Sequence, residues 1–148
     1  MSRTDTDVLE ANKAVVRRLY EQFHNSMDLT LADDLYTPDC VYHGGHIKRD
    51  PGKTGSVKAM GKMHDAFPDL QTTIDEMVAE GDRVVVRLHR TGTHKGEYLG
   101  FAATGKRIEQ TALVMFRIEN GKIAEYWLHY DELGLLLQIG AIPALANS

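Results

Sequence analysis

Helical and strand periodicity fall in separate stretches of this chain, and that segregation limits its fold more than any single motif does. Val8, Leu9, Val15, Val16, Leu19, Tyr20 and Phe23 recur at helical spacing, with Asp7 opening the pattern and Asn25 closing it. A short helix is predicted over Thr30 to Tyr36, capped by Thr30 and stopped by Pro38. Ser56 to Phe67 carries Val57, Met60, Met63, His64 and Phe67 on one helical face, and Pro68 ends it. From Leu70 the period becomes two. Strands are predicted over 70–78, 83–94, 107–118 and 122–130, joined at Glu80-Gly81-Asp82, at the glycine-bearing loop 95–105 and at Asn120-Gly121. Asn-Gly suits the positive φ angles of a two-residue hairpin. Cys40 to His43 reads as one short earlier strand before a polar loop, and Leu133 to Ile139 as a last turn of helix. Helices followed by hairpin-linked strands indicate an α+β fold, not alternating α/β. Four long strands curl as they twist, so the sheet is predicted to close as a cone over three N-terminal helices and leave a cavity between. No repeat or linker interrupts the chain, so residues 1–148 read as a single domain.

Composition narrows the partners. With 17 Lys and Arg against 21 Asp and Glu, the net charge is −4, the wrong sign for a general nucleic-acid or anionic-membrane binder. No apolar run approaches the roughly 20 residues that span a bilayer. Met1 to Asp7 lacks the apolar core of a secretory signal, so the expected compartment is cytoplasmic. Cys40 is the single cysteine, which excludes an intrachain disulfide and any multi-cysteine metal site. No His-x-x-x-His or His-x-His pair, glycine-rich phosphate loop or nucleophile elbow is present. What these absences leave is a chain without a recognisable metal or phosphate-binding motif, expected to act on something small.

Many stretches also match a known group in order and spacing. Leu35-Tyr36 is followed by Pro38-Asp39, Tyr42-His43 and Phe67-Pro68-Asp69-Leu70. Glu80-Gly81-Asp82-Arg83-Val84, Gly92-Thr93-His94-Lys95-Gly96-Glu97, Leu99-Gly100 and Thr104-Gly105-Lys106 continue the series. Phe116-Arg117, Gly121-Lys122-Ile123, Trp127, Asp131-Glu132-Leu133-Gly134-Leu135 and Gln138-Ile139-Gly140 complete it. On these residues the chain resembles the SnoaL-like polyketide cyclases (ester cyclases) of the nuclear transport factor 2-like superfamily. The resemblance implies a cone-shaped α+β barrel, commonly a homodimer, with a buried ligand cavity. It further implies intramolecular aldol closure of an aromatic polyketide methyl ester, with an aspartate as general base and without metal or organic cofactor. That aspartate falls at Leu128, a supporting histidine at Val114 and an asparagine at Tyr42. Leucine and valine neither accept a proton nor donate a hydrogen bond, so the resemblance carries the fold and not that mechanism.

Three residues are candidates for the missing chemistry. His43 follows Tyr42 on the strand that edges the cavity in this fold, and imidazole is suited to proton transfer near neutrality. His89 shares a face with Arg87 and Thr91; facing inward it would be the leading base, facing outward an interface residue. Asp131 is the carboxylate nearest the lost position, or else the cap of the final helix. His24, at a helix end, and His94, in a Gly-Thr-His turn, read as structural; His46 reads as solvated, and His64 as core or pocket. Strand alternation groups Tyr126, Leu128 and Tyr130 against Trp127, His129 and Asp131. The resemblance places position 128 inward, so Tyr126 and Tyr130 would line the cavity with Tyr42, Gln110, Ala112, Val114 and Phe116. Such a lining suits a flat hydrophobic ligand bearing oxygen. Two functions fit: a cofactor-free enzyme performing cyclisation, isomerisation or hydration by proton transfer, or a non-catalytic small-molecule binding protein. A pure interaction module would need a more apolar outer face.

Overall fold

The structure, a computed structural model, describes residues 3–44 and 47–144. His46 lies outside the described residues. The chain opens with α1 (Arg3–Arg18), a turn earlier than Asp7 suggested. Its last turn, Leu19–His24, widens to π geometry, and the Asn25 amide donates to the Tyr20 carbonyl across five residues. The widening keeps Leu19, Tyr20 and Phe23 buried together and stacks the His24 ring edge-on against Tyr20, 4.9 Å between centroids. A 3-10 turn, Leu29–Leu31, leads into the single-turn α2 (Ala32–Leu35). Asp28, not Thr30, supplies the cap, its side chain accepting from the Thr30 amide.

Strand β1 (Tyr36–His43) starts earlier than the predicted Cys40 and runs through Pro38. Proline is tolerated there because β1 is an edge strand. Helix α3 (Gly52–Ala66) follows, then β2 (Gln71–Glu80), β3 (Arg83–Thr93), β4 (Arg107–Glu119), β5 (Lys122–Tyr130) and α4 (Glu132–Gln138). Asn120 and Gly121 hold φ angles of 51° and 78°, the hairpin geometry their sequence predicts.

The five strands form one sheet ordered β1-β5-β4-β3-β2. The meander β2 to β5 is antiparallel, whereas β1 pairs parallel with β5, matching Tyr42 to Tyr126 and His43 to Trp127. The sheet is thus mixed, not purely antiparallel as expected; α3 carries the chain from β1 to the opposite edge, and the meander then returns β5 to pair parallel with β1. Helices α1 and α3 and the π turn cover one face of the curved sheet. Val16, Tyr20, Phe23, Tyr36, Val86, Val114, Phe116 and Tyr126 interlock there as the main core. A smaller core under α4 gathers Phe67, Leu70, Tyr98, Ile108, Leu135 and Ile139. No described helix is long and apolar enough to cross a membrane.

Candidate active site

Alternation along β3 decides what enters the interior. Val84, Val86, Leu88 and Arg90 point to the helices and are buried, so the inner row of an apolar strand ends in a guanidinium, 4% exposed. Arg90 pairs across the sheet with Gln110, also buried. Its Nε donates to Gln110 Oε1 at 2.7 Å, and its guanidinium lies 4.1 Å above the Tyr130 ring. The Gln110 amide donates in turn to Glu132 Oε1 and to the Asp131 carbonyl, each at 3.1 Å. The Tyr98 hydroxyl donates to the other Glu132 oxygen.

A second guanidinium arrives from the segment between β1 and α3. Arg49 lies 4.1 Å from the Tyr42 ring centre, and its Nη1 donates to the Tyr126 hydroxyl at 2.9 Å. That hydroxyl also meets Ser56 Oγ. The Arg49 Nε is buried without a hydrogen-bond partner. None of the ion pairs among the described residues includes Arg49 or Arg90.

Two imidazoles also lie in the interior, His64 buried and His24 half-buried. His64 Nε2 donates to the His24 carbonyl at 2.9 Å, which leaves the basic lone pair on Nδ1. Burial holds its pKa below the ordinary value, opposed by that hydrogen bond. His24 is pushed down to about 3, mainly by burial and then by the charges of Arg90, Arg49 and His64. Both rings are therefore neutral near pH 7. Burial raises the pKa of Tyr20, Tyr36 and Tyr126, so their hydroxyls stay protonated. The cluster offers a neutral base, two cations and several hydroxyl donors in an apolar setting.

The residues expected to line a cavity are on this face as packed core: Gln110, Ala112, Val114, Phe116 and Tyr126 are buried, and Tyr42, Leu128 and Tyr130 pack against them. The proposed bases are not. His43 lies on the outer face, stacked on Trp127 at 5.0 Å with Nε2 2.7 Å from Glu125. His89 also points outward, its Nδ1 2.9 Å from both Asp75 oxygens. The alternation that turns Val84, Val86 and Leu88 inward puts His89 outside, the alternative that makes it a surface residue. Asp131 Oδ1 caps α4, accepting from the Gly134 amide at 2.9 Å. Neither histidine, so placed, reaches a proton on the inner face. Two recesses open on the outer face, one of about 540 Å³ bordered by Asp75, Arg87, Leu113 and His129, the other of about 200 Å³ around Val85, Met115 and Trp127. The inner face is occupied by the side chains just named. Among the described residues, no three His, Cys, Asp or Glu side chains gather as metal ligands.

Residues 14–139 match the model of the SnoaL-like polyketide cyclase family. The chain belongs to the SnoaL-like polyketide cyclases. A curated relative, the aklanonic acid methyl ester cyclase DnrD of Streptomyces peucetius, is 26% identical over 132 residues, covering 85% of this chain and 88% of that one. Among solved structures, AclR of Streptomyces galilaeus, a candidate hydroxylase, superposes with a TM-score of 0.82 at 29% identity, covering 94% of this chain and 87% of that one. IdmH of Streptomyces antibioticus, a candidate polyketide cyclase, gives 0.75 at 33% identity over 87% of this chain and 98% of its own. In this SnoaL-like chain Leu128 and Val114 are inward and pair directly across β4 and β5. The two positions that the resemblance gives to an acid–base pair thus hold an apolar contact.

Sequence reasoning missed Arg90, Arg49 and Ser56. Arg90 shares the parity of Val84, Val86 and Leu88, a signal readable only once the pairing with Gln110 shows that this face is inward. Arg49 and Ser56 had none, because a loop arginine and a helix serine are ordinary surface residues.

Proposed function

We propose that this SnoaL-like protein is a cofactor-free enzyme that moves protons on a small hydrophobic, oxygen-bearing ring or polyketide-type substrate, in a cyclisation, isomerisation or hydration. The observation that carries this reading is His64, buried with Nε2 donating to the His24 carbonyl and held neutral by burial, in a fold whose interior also holds Arg90 and buried tyrosines. In the proposed mechanism His64 Nδ1 takes an acidic C–H proton, which replaces the absent carboxylate base. The oxyanion left on the substrate is met by guanidinium and hydroxyl donors fixed before the reaction. Tyr126, Tyr130, Phe116, Val114 and Leu128 supply flat apolar walls for the ring. The substrate enters between the helices and the sheet, displacing side chains that now fill that space.

A binding protein on the same scaffold is the second reading, favoured by the apolar Leu128–Val114 pair. Aklanonic acid methyl ester, the compound in the curated relative's name, separates the two. The enzyme reading expects chromatographic conversion of this ester by the wild type and a loss of about a hundredfold or more in His64→Gln at unchanged melting temperature. Binding without conversion would leave the carrier, and full activity in His64→Gln would remove His64 as the base.

A further inference from the structure

On the inner face the rows along β3 and β4 change character together. Val84, Val86 and Leu88 lie across from Phe116, Val114 and Ala112 in the main core. Arg90 then pairs with Gln110, and Gly92 with Ile108, a residue of the smaller core. The Arg90–Gln110 pair is therefore a polar layer between two apolar clusters. Among the described residues, Met63 alone packs against both. Clusters divided in this way can open separately, because exposing one breaks few contacts of the other. The smaller cluster is covered by α4 and loop 95–105, and both are thinly anchored. Tyr98 is the one buried residue between Lys95 and Arg107, its ring edge-on to Phe67 at 5.4 Å. From α4 and the residue after it, Leu135 and Ile139 are buried. One carboxylate joins the two covers. Glu132 accepts from the Tyr98 hydroxyl at 2.6 Å on one oxygen and from the Gln110 amide at 3.1 Å on the other. At the far end of α4, Gln138 exchanges two hydrogen bonds with the Glu109 backbone.

We propose that α4 and loop 95–105 form a lid that opens as one unit, with the Tyr98–Glu132 hydrogen bond as its latch. Opening lifts Tyr98, Leu135 and Ile139 off Phe67, Leu70 and Ile108 and leaves the main core closed. It uncovers the Gln110 and Arg90 end of the inner face, a route to the space between helices and sheet. That route rests on the reading of the inner face as a substrate site; the coupled opening is a property of the fold. A bond shared by two elements biases both by the same factor, so loss of either partner should loosen loop and helix together.

Amide hydrogen exchange of the full chain, followed residue by residue by NMR, reads the lid in both directions. The Ile139 and Ala141 amides donate to carbonyls of α4, and the Tyr98 and Phe101 amides close the loop tip on each other. In Tyr98→Phe, a change in the loop, Ile139 and Ala141 are expected to exchange about fivefold faster or more, the loss of one net hydrogen bond. In Glu132→Ala, a change in the helix, Tyr98 and Phe101 are expected to accelerate by a similar factor. The β3 and β5 amides should stay within about twofold of wild type in both variants, which separates lid opening from lower overall stability. Should Glu132→Ala not fold, Tyr98→Phe decides alone. Acceleration confined to the element that carries the substitution, unchanged exchange, or acceleration of β3 and β5 equal to that of α4 would overturn the proposal. The outcome is separable from the enzyme reading: conversion of aklanonic acid methyl ester without coupled exchange leaves the enzyme and removes the lid, and coupled exchange without conversion does the reverse.

Discussion

At the scale of single residues, two features decide what this interior can do: an arginine at the end of an apolar row, and imidazoles held neutral. The sequence discloses the first only to a reader who knows which face of β3 is inward. Val84-Val85-Val86 is a continuous apolar run, and alternation cannot be phased through it. Position in the chain points to His43 and His89, whereas burial, invisible in a sequence, puts His64 and His24 toward the interior. The low pKa of His24 has a testable sign. The folded state binds its proton near pH 3 and the unfolded state near 6.5, so stability is complete above pH 6.5 and falls as pH drops below it. His64 adds in the same direction. Roughly 2 kcal/mol should be lost between pH 6.5 and 5, at about 1.4 kcal/mol per pH unit. Urea midpoints measured across that window should fall steeply for the wild type and much less for His24→Leu. An identical slope in the variant would refute the assignment.

At the scale of elements, the strands were the most legible part. Lys122 to Tyr130 is bounded as expected because Asn120-Gly121 fixes the turn before it. The first third was harder. A helix over Thr30 to Tyr36 absorbed the start of β1, since Leu31, Leu35 and Tyr36 fit either period. The partner of β1 could not be read at all, because periodicity marks a strand and says nothing of its neighbour. The π turn was equally hidden: apolar spacing does not separate a wide turn from an α-turn. Asp131 belongs to this scale, as the cap of α4, whose Leu135 fills the smaller core. Asp131→Ala should cost about 1 kcal/mol in chemical denaturation, while Asp131→Asn, which keeps the acceptor, should retain both stability and turnover. A loss of turnover in Asp131→Asn without loss of stability would return the carboxylate to the chemistry.

For the whole molecule, the helices cover only one side of the sheet. The other presents Leu113, 54% exposed, with Val85, Met115 and Trp127 around it and the Asp75–Arg87 and Asp75–His89 pairs beside it. Half-apolar, half ion-paired surfaces of this sort are typical of subunit contacts. The homodimer implied by the family resemblance is proposed to form here, sheet against sheet around a two-fold axis. Light scattering at micromolar concentration should give twice the 16.6 kDa chain mass, and Leu113→Glu should give the single mass. A monomeric wild type would refute the contact.

The parallel pairing of β1 with β5 also sets an order of events in synthesis. The two strands join residues roughly eighty positions apart, Tyr36 with Ile123 at one end. While the ribosome is still making β4, β1 has no partner, and the N-terminal helices lack part of the surface they will cover. Local hairpins can form as they emerge, but the long-range closure waits for the strand made last, and such non-local contacts slow folding. A nascent chain of this protein therefore spends most of its translation with an unpaired edge open to other chains or to chaperones.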